Sequence, residues 1–358
     1  MITASKVLLL ATLFSLSGTV LSFEQYNDGP YVFEKKNHRE VIWICDGIKS
    51  TETVSLKSPL KIDHCGQHST LWQASPKEVT QLEYKGDFKI AATSDIHGQF
   101  KLFIKLLKNN GIIDKDNRWS FSNGHFVITG DILDRGPQMT EALWFLYDLE
   151  KQAEQAGGKV HLLLGNHEVM VLNGDLRYLH EKYNETAKLL DLSFENLFAA
   201  NSVLGDWLRS RPVLVKVNDM LFAHGGFHPK LAKKGLSIDK INQVFKTNLI
   251  ESELEKPRKK LGKYLHKKNG PIWYRGYFKN KEGIQDSSPL EIEMLLKHFD
   301  ITNIIVGHTT QDEIETRYNG KVIVIDARMK AGENGEILLW EKGKFERGLL
   351  SGEKEALN

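Results

Sequence analysis

The sequence is poor in cysteine, in proline and in net charge. Among 358 residues there are 2 Cys and 9 Pro, and 48 Lys plus Arg stand against 46 Asp plus Glu. Two cysteines cannot build a disulfide scaffold, and a chain this long needs none because it can bury a large apolar core. So few prolines, with 29 Gly spread without a period, exclude collagen-like and proline-rich architectures. A net charge of +2 gives no general field for steering polyanions, so a nucleic-acid role would need a local patch. After the N-terminal segment no apolar run approaches the ~18 residues of a membrane span. What is present, 41% hydrophobic and 26% charged residues, is a globular composition. At roughly 150 residues per domain the length suggests about two domains.

Residues 1–22 read as a secretory signal peptide: Lys6, an apolar stretch from Val7 to Leu16, then Val20 and Ser22 as small residues before a cleavage point. The stretch is too short to cross a bilayer. An exported protein, periplasmic or secreted and without a membrane anchor once the signal is removed, is therefore expected. Export would let Cys45 and Cys65, 20 positions apart, form a disulfide, with two free thiols as the alternative. Cys65 is not read as a nucleophile. A cysteine-dependent phosphatase loop needs an Arg six residues on to hold phosphate, and position 71 is Leu.

From residue 23 to residue 86, short β-prone pieces such as Val41-Ile42-Trp43-Ile44 alternate with turn formers, which predicts a small β-rich extension. Residues 87–350 change to apolar strands alternating with amphipathic helices, the pattern of an α/β domain. Strands are expected at Phe88–Thr93, Phe126–Thr129, Val160–Leu164, Met220–Ala223 and Ile304–Val306, with helices over 100–107, 140–155, 186–209, 238–255 and 289–299. Asn218-Asp219 and Asn319-Gly320 read as hairpin turns.

Five of these strands end in polar motifs. They are Ser94-Asp95-Ile96-His97-Gly98-Gln99, Gly130-Asp131-Ile132-Leu133-Asp134-Arg135-Gly136, Gly165-Asn166-His167-Glu168, His224-Gly225-Gly226 and Gly307-His308-Thr309. Carboxyl ends of strands are where open α/β sheets place ligands, so five loops can meet on one rim. Asp95 and His97, two apart on extended backbone, can grip one ion. The two carboxylate oxygens of Asp131 can bridge to a second ion completed by Asn166, His224 and His308. Imidazole, carboxylate and amide oxygen together suit first-row transition metals; Mn, Fe and Zn all remain open. Two such ions about 3.5 to 4 Å apart can share a hydroxide for attack on phosphorus.

In combination these motifs, over about residues 88 to 326, resemble the calcineurin-like metallophosphoesterases, in their phosphoprotein phosphatase branch. The resemblance implies a four-layer α/β/β/α sandwich of two sheets flanked by helices. It implies one metal on Asp95, His97 and Asp131, and a second on Asp131, Asn166, His224 and His308. His167, beside a ligand, is placed to protonate the leaving oxygen, with Asp134 to orient it. Arg135 and Arg275, the latter within Trp273-Tyr274-Arg275-Gly276, offer planar forks to phosphate oxygens, with Asn166 and His167 beside them. Arg275 also reads as a surface Arg capping a buried Trp. Leu162-Leu163-Leu164 before Gly165, Val306-Gly307-His308-Thr309-Thr310 and Trp-Tyr-Arg-Gly are similar to the Shewanella-like protein phosphatases, which implies phosphoprotein substrates with a phosphotyrosine preference.

Ser/Thr phosphatase and dinucleoside polyphosphate hydrolase activities stay open as alternatives. A non-catalytic exported metal- or phosphate-binding protein is disfavoured, because acid, orienter and Arg are all retained. Asp326 reads either as an acceptor for a ligand His or as an ordinary strand-end acid. The run Lys256-Pro257-Arg258-Lys259-Lys260, continued by Lys263, Lys267 and Lys268, reads as a solvated face or as a surface attracting acidic phosphopeptides. His125, His161, His180, His228 and His298 read as structural.

Overall fold

A strand with apolar side chains on both faces must lie between two layers, and the central strands here are of that kind. Residues 26–57, 59–72, 79–279, 283 and 286–357 are described by the computed structural model; the predicted signal peptide lies outside them. The chain begins with β1 (Asp28–Glu34), β2 (Arg39–Cys45) and β3 (Ile48–Val54), an antiparallel sheet, then the hairpin β4 (Leu60–His64) and β5 (Gln67–Leu71). The α/β portion follows. It runs β6 (Glu83–Tyr84), β7 (Ile90–Thr93), α1 (Phe100–Asn109), β8 (His125–Ile128), α2 (Met139–Gln155), β9 (Lys159–Leu162), α3 (Asn166–Leu172), α4 (Glu181–Leu190) and α5 (Val203–Arg209). Next come β10 (Leu214–Val217), β11 (Met220–Ala223), α6 (Lys230–Lys233), α7 (Ile238–Lys246), α8 (Lys260–Leu265), α9 (Pro289–Phe299) and β12 (Asn303–Val306). Strands β13 (Glu315–Arg317), β14 (Val322–Val324), β15 (Ile337–Glu341), β16 (Lys344–Gly348) and β17 (Lys354–Ala356) end it.

Two six-stranded mixed sheets form, in the orders β17-β16-β15-β7-β8-β9 and β13-β14-β12-β11-β10-β6. They stack face to face on a core of Ile90, Ala92, Val127, Phe222, Ile305 and Ile323. Their alternate neighbours Ala91, Phe126, Leu221 and Ile304 point outward into a second core shared with the helices. Period-two side-chain alternation thus builds four layers from one set of strands. Helix α2 covers β9 on one outer face and α7 covers β10 on the other. The α/β sandwich with flanking helices that the sequence implies is the fold observed.

The N-terminal strands are not a detached unit. Tyr31, Val32, Val41 and Ile44 belong to the same core as the helices, and β6 pairs in parallel with β10. Cys45 and Cys65 are joined, with Cα atoms 5.8 Å apart, tying the end of β2 to the β4–β5 turn.

Helix ends differ from the expected ones where local caps intervene. The single helix expected over 186–209 is three pieces: α4 stops at Asp191, in left-handed conformation (φ 56°), a short 3-10 turn covers Phe194–Phe198, and Ser202 caps α5 by accepting from Gly205 N–H. The helix expected over 238–255 ends at Lys246. Just beyond it, Arg258 donates to the carbonyls of Asn248 and Leu249, giving those carbonyls a partner that a longer helix would have supplied.

Candidate metal centre

Strands β7, β8 and β9 are parallel neighbours, as are β11 and β12 in the other sheet, so five carboxyl ends bring their loops together. The loops meet at close quarters. A Cβ on Gly130, whose φ is +102°, would press into the Gly165 backbone, and one on Gly165 would strike the Asp131 carboxylate. Only glycine lets these two turns touch.

Asp131, almost fully buried, stands at the centre. Its Oδ2 lies 3.1 Å from His224 Nε2, 3.6 Å from His97 Nε2 and 3.8 Å from His167 Nε2. Burial would raise its pKa, but the surrounding imidazoles, His224 foremost, hold it well below the usual carboxylate range. Backbone partners fix which ring nitrogen faces it. Nδ1 of His97 bonds the Leu133 carbonyl at 2.8 Å and Nδ1 of His224 the Thr129 carbonyl at 3.0 Å, so each presents Nε2 inward. Burial pulls His97 down to about 4, whereas His224, although buried, is pushed up to about 9 by the charge of Asp131.

The remaining expected ligands gather at the same place. Asn166 Oδ1 lies 3.0 Å, and His308 Nδ1 3.1 Å, from His224 Nε2. Asp95 Oδ1 is 3.8 Å from His97 Nε2, while its Oδ2 accepts from Ser94 Oγ at 2.5 Å and from His308 N–H at 2.9 Å. Two donor triplets, His97/Asp131/His167 and Asp131/His224/His308, share the Asp131 carboxylate. Ring nitrogens and side-chain oxygens that point at one another, with His308 Nε2 buried and without a hydrogen-bond partner, form a donor set suited to divalent metal. The residues present fit such an ion.

His167, whose Nε2 belongs to the first triplet, holds Asp134 at its other nitrogen, with Nδ1 and Asp134 Oδ2 2.6 Å apart. Burial alone would lower the His167 pKa; Asp131 and the Asp134 hydrogen bond overcome it and raise the ring above its usual value. Asp134, raised by its own burial, shares with His167 the one proton at their contact. Arg135 is exposed, its guanidinium 4.9 Å over the ring of Tyr178. Arg275 donates from Nη1 to the His308 carbonyl (3.0 Å) and to Thr309 Oγ1 (2.9 Å), so it is anchored on the loop of an expected ligand. The adjacent Trp273 is half-buried with its ring edge-on to His308.

Some features lay beyond the motif reading. Asn166 and His167 are the first two residues of α3, and His167 N–H donates to Asp131 Oδ1 at 3.0 Å. Glu168, fully buried, accepts from the backbone N–H groups of Asp131, Ile132, Leu133 and Gly165 and so clamps two site loops together. Tyr178 stacks on Arg135 and approaches the His167 ring, centroids 5.2 Å apart; no sequence pattern singles it out. Asp326 meets Thr310 and Asp95 instead of a histidine; burial and the Asp95 charge push it up to about 8. The structural histidines lie elsewhere, His125 of β8 and His161 of β9 sharing a 2.9 Å bond between their rings.

Comparison with known proteins agrees with this geometry. Residues 88–312 match the calcineurin-like phosphoesterase family. The chain is 30% identical to Shewanella-like protein phosphatase 1 of Plasmodium berghei over 70% of its length and 69% of that protein's. It is 26% identical to Shewanella-like protein phosphatase 2 of Arabidopsis thaliana over 72% and 76% of the two chains. The crystal structure of a cold-active protein-tyrosine phosphatase from a psychrophilic Shewanella species superposes with a TM-score of 0.85 at 39% identity, covering 93% of this chain and 99% of that one. Coverage that high takes in much of the N-terminal β region as well as the sandwich. The chain therefore belongs to the calcineurin-like phosphoesterase family, as a metal-dependent hydrolase related to the Shewanella-like protein phosphatases.

Proposed function

We propose that the protein is a dinuclear phosphomonoesterase that removes phosphate from phosphoproteins, with a preference for phosphotyrosine. The observation that carries the reading is the single Asp131 carboxylate, with His97 on one side and His224 and His308 on the other, and the hydrogen-bonded His167–Asp134 pair beside it. Asp95, His97 and Asp131 would hold one metal ion, and Asp131, Asn166, His224 and His308 the other. When bound, the ions activate water as nucleophile and neutralise the phosphate's charge; Mn, Fe and Zn all accept these donors.

The chain's own groups do the rest. His167, kept protonated through Asp134, gives its Nε2 proton to the departing oxygen. Arg135 and Arg275 orient the phosphate, aided by the Asn166 amide. Support for the phosphotyrosine preference comes from the similar tyrosine phosphatase structure and from Tyr178 and Trp273, which offer aromatic surface at the rim. The joined cysteines support export to an oxidising compartment.

Phosphate release tests this, from phosphotyrosyl and phosphoseryl peptides and a dinucleoside polyphosphate, using stripped enzyme with Mn, Zn or Fe added back. Phosphotyrosyl peptide should lead, and Asp131→Asn should lose turnover together with metal content. Full activity in Asp131→Asn, or faster turnover of the dinucleotide, would refute the assignment.

A further inference from the structure

We infer that the basic segment from Lys256 to Lys268 is a docking surface for acidic residues that flank the phosphorylated side chain of a protein substrate; this rests on the phosphoprotein reading above. The first ground is a local surplus of charge. Lys256, Lys259, Lys260, Lys263, Lys267 and Lys268 are all exposed, and none forms an ion pair among the described residues. Elsewhere some lysines pair, Lys35, Lys89, Lys159, Lys188 and Lys233 each within 3.3 Å of a carboxylate, and others such as Lys85, Lys105 and Lys234 do not among the described residues, so density is what sets this segment apart. In a chain of 48 basic and 46 acidic residues, six unpaired lysines within 13 positions are a patch. Of the nearby acids, Glu251 is engaged by Arg258 at 3.1 Å and Glu253 by Arg209 at 2.9 Å, which leaves Glu255 as a single adjacent carboxylate against six lysines.

The second ground is attachment to the site. Arg258 is spent on structure, its guanidinium bound to the carbonyls of Asn248 and Leu249 and to Asn173 Oδ1. It fixes the start of the segment. At the far end the Pro271 carbonyl accepts from Gly225 N–H (2.6 Å) and Gly226 N–H (3.0 Å), immediately after His224. Four residues later Arg275 holds the His308 loop. From Lys268 to Arg275 the chain can span no more than about 25 Å. An extended peptide of roughly eight residues covers that distance, so one substrate segment spans from Arg275 to Lys268, the near end of the lysine run.

The chemistry selects the partner. Lysine is a hydrated point charge on a flexible stem, which attracts carboxylates over about a Debye length without demanding a fixed geometry. Base stacking is not provided for, since Tyr264 is half-buried against His228 and Lys230. Nor is membrane insertion, because α8 has six residues and turns Leu265 into the core.

The test uses full-length enzyme and a Lys263→Gln/Lys267→Gln/Lys268→Gln variant, all at exposed positions. Substrates are p-nitrophenyl phosphate and two phosphotyrosyl peptides with one shared core, flanked by Asp and Glu or by Ser and Gly, at about 20 mM and about 300 mM salt. The wild type should favour the acidic peptide by about tenfold in kcat/KM, through KM, at low salt only. In the variant that preference should vanish while p-nitrophenyl phosphate turnover stays unchanged. Equal turnover of both peptides by the wild type, or a preference that survives in the variant, overturns the docking role and leaves the phosphatase reading standing. So does a variant that keeps its peptide preference but loses binding to phosphatidylglycerol vesicles or a single-stranded oligonucleotide. Absence of peptide turnover by a wild type active on p-nitrophenyl phosphate overturns the phosphoprotein reading and the docking surface together.

Discussion

In the proposed reaction Asp134 acts only through His167, so its replacement separates orientation from acidity. Asp134→Asn keeps the shape and removes one of the two carboxylates, with Asp131, that raise the ring's pKa. The expected loss, about 10²-fold in kcat, should be greater for a phosphoseryl peptide than for p-nitrophenyl phosphate, whose leaving group needs no proton. Equal losses on both would argue that His167 is not the acid. Arg135 joins function to backbone strain. Its φ of 69° is left-handed, strained for a residue with a Cβ and relaxed for glycine. Arg135→Gly and Arg135→Ala both lose the phosphate fork and should both raise KM. The glycine variant should nevertheless be more stable than the alanine variant by about 1 kcal/mol in denaturant unfolding.

Among elements, the hairpin β4–β5 is the one whose independence is most precarious, since two strands alone are marginal in water. It is held by Leu71 in the core, by Trp72 Nε1 donating to Asp148 at 2.5 Å, and by the Cys45–Cys65 link. A double Cys45→Ser/Cys65→Ser variant opens a loop of 20 residues and should lose about 3 kcal/mol. Limited proteolysis should then cut first between residues 46 and 72, with p-nitrophenyl phosphate turnover retained; loss of turnover would tie the hairpin to the metal centre. Elements also show what was legible in advance. Buried strands such as Met220–Ala223 announce themselves as apolar runs stopped by Gly, Asp or His, because neither layer tolerates polarity until the chain leaves the sheet. Helix α9 was equally plain, with Ser288 and Glu291 forming its capping box and Pro289 at its first position. The breaks at Asp191 and Lys246 were hidden, since the partners that permit them, such as Arg258, are remote in sequence or visible only once packed. Glu168 and Tyr178 were hidden for the same reason: their roles consist of contacts with other loops.

For the whole molecule, acid should be the limiting condition. His125 and His161 are buried against Tyr84 and Phe88, share one hydrogen bond and face the charge of Lys159, so both stay neutral in the fold. Burial lowers His125 to about 4 and His161 well below its usual value. The unfolded chain protonates these rings near pH 6.5, before the fold can. Stability should therefore be fully present above pH 6.5 and fall as pH drops toward 4. Thermal unfolding from pH 7 to pH 4.5 should show a shallower decline in His161→Gln than in the wild type; identical slopes would clear the pair of responsibility. Arg135 is also not alone in its conformation: Asp95, His97, Asp131, Asp134 and His308 share the left-handed backbone, with φ from 46° to 67°. Six positions where chain geometry prefers glycine and chemistry forbids it make a signature readable without any assay design. In a saturation scan scored separately for abundance and for turnover, glycine at these sites should rank among the most abundant variants and the least active. Positions where the two scores part in this way would outline the metal centre, whereas abundance alone would also pick out left-handed positions outside it, such as Asp191 and Asn218.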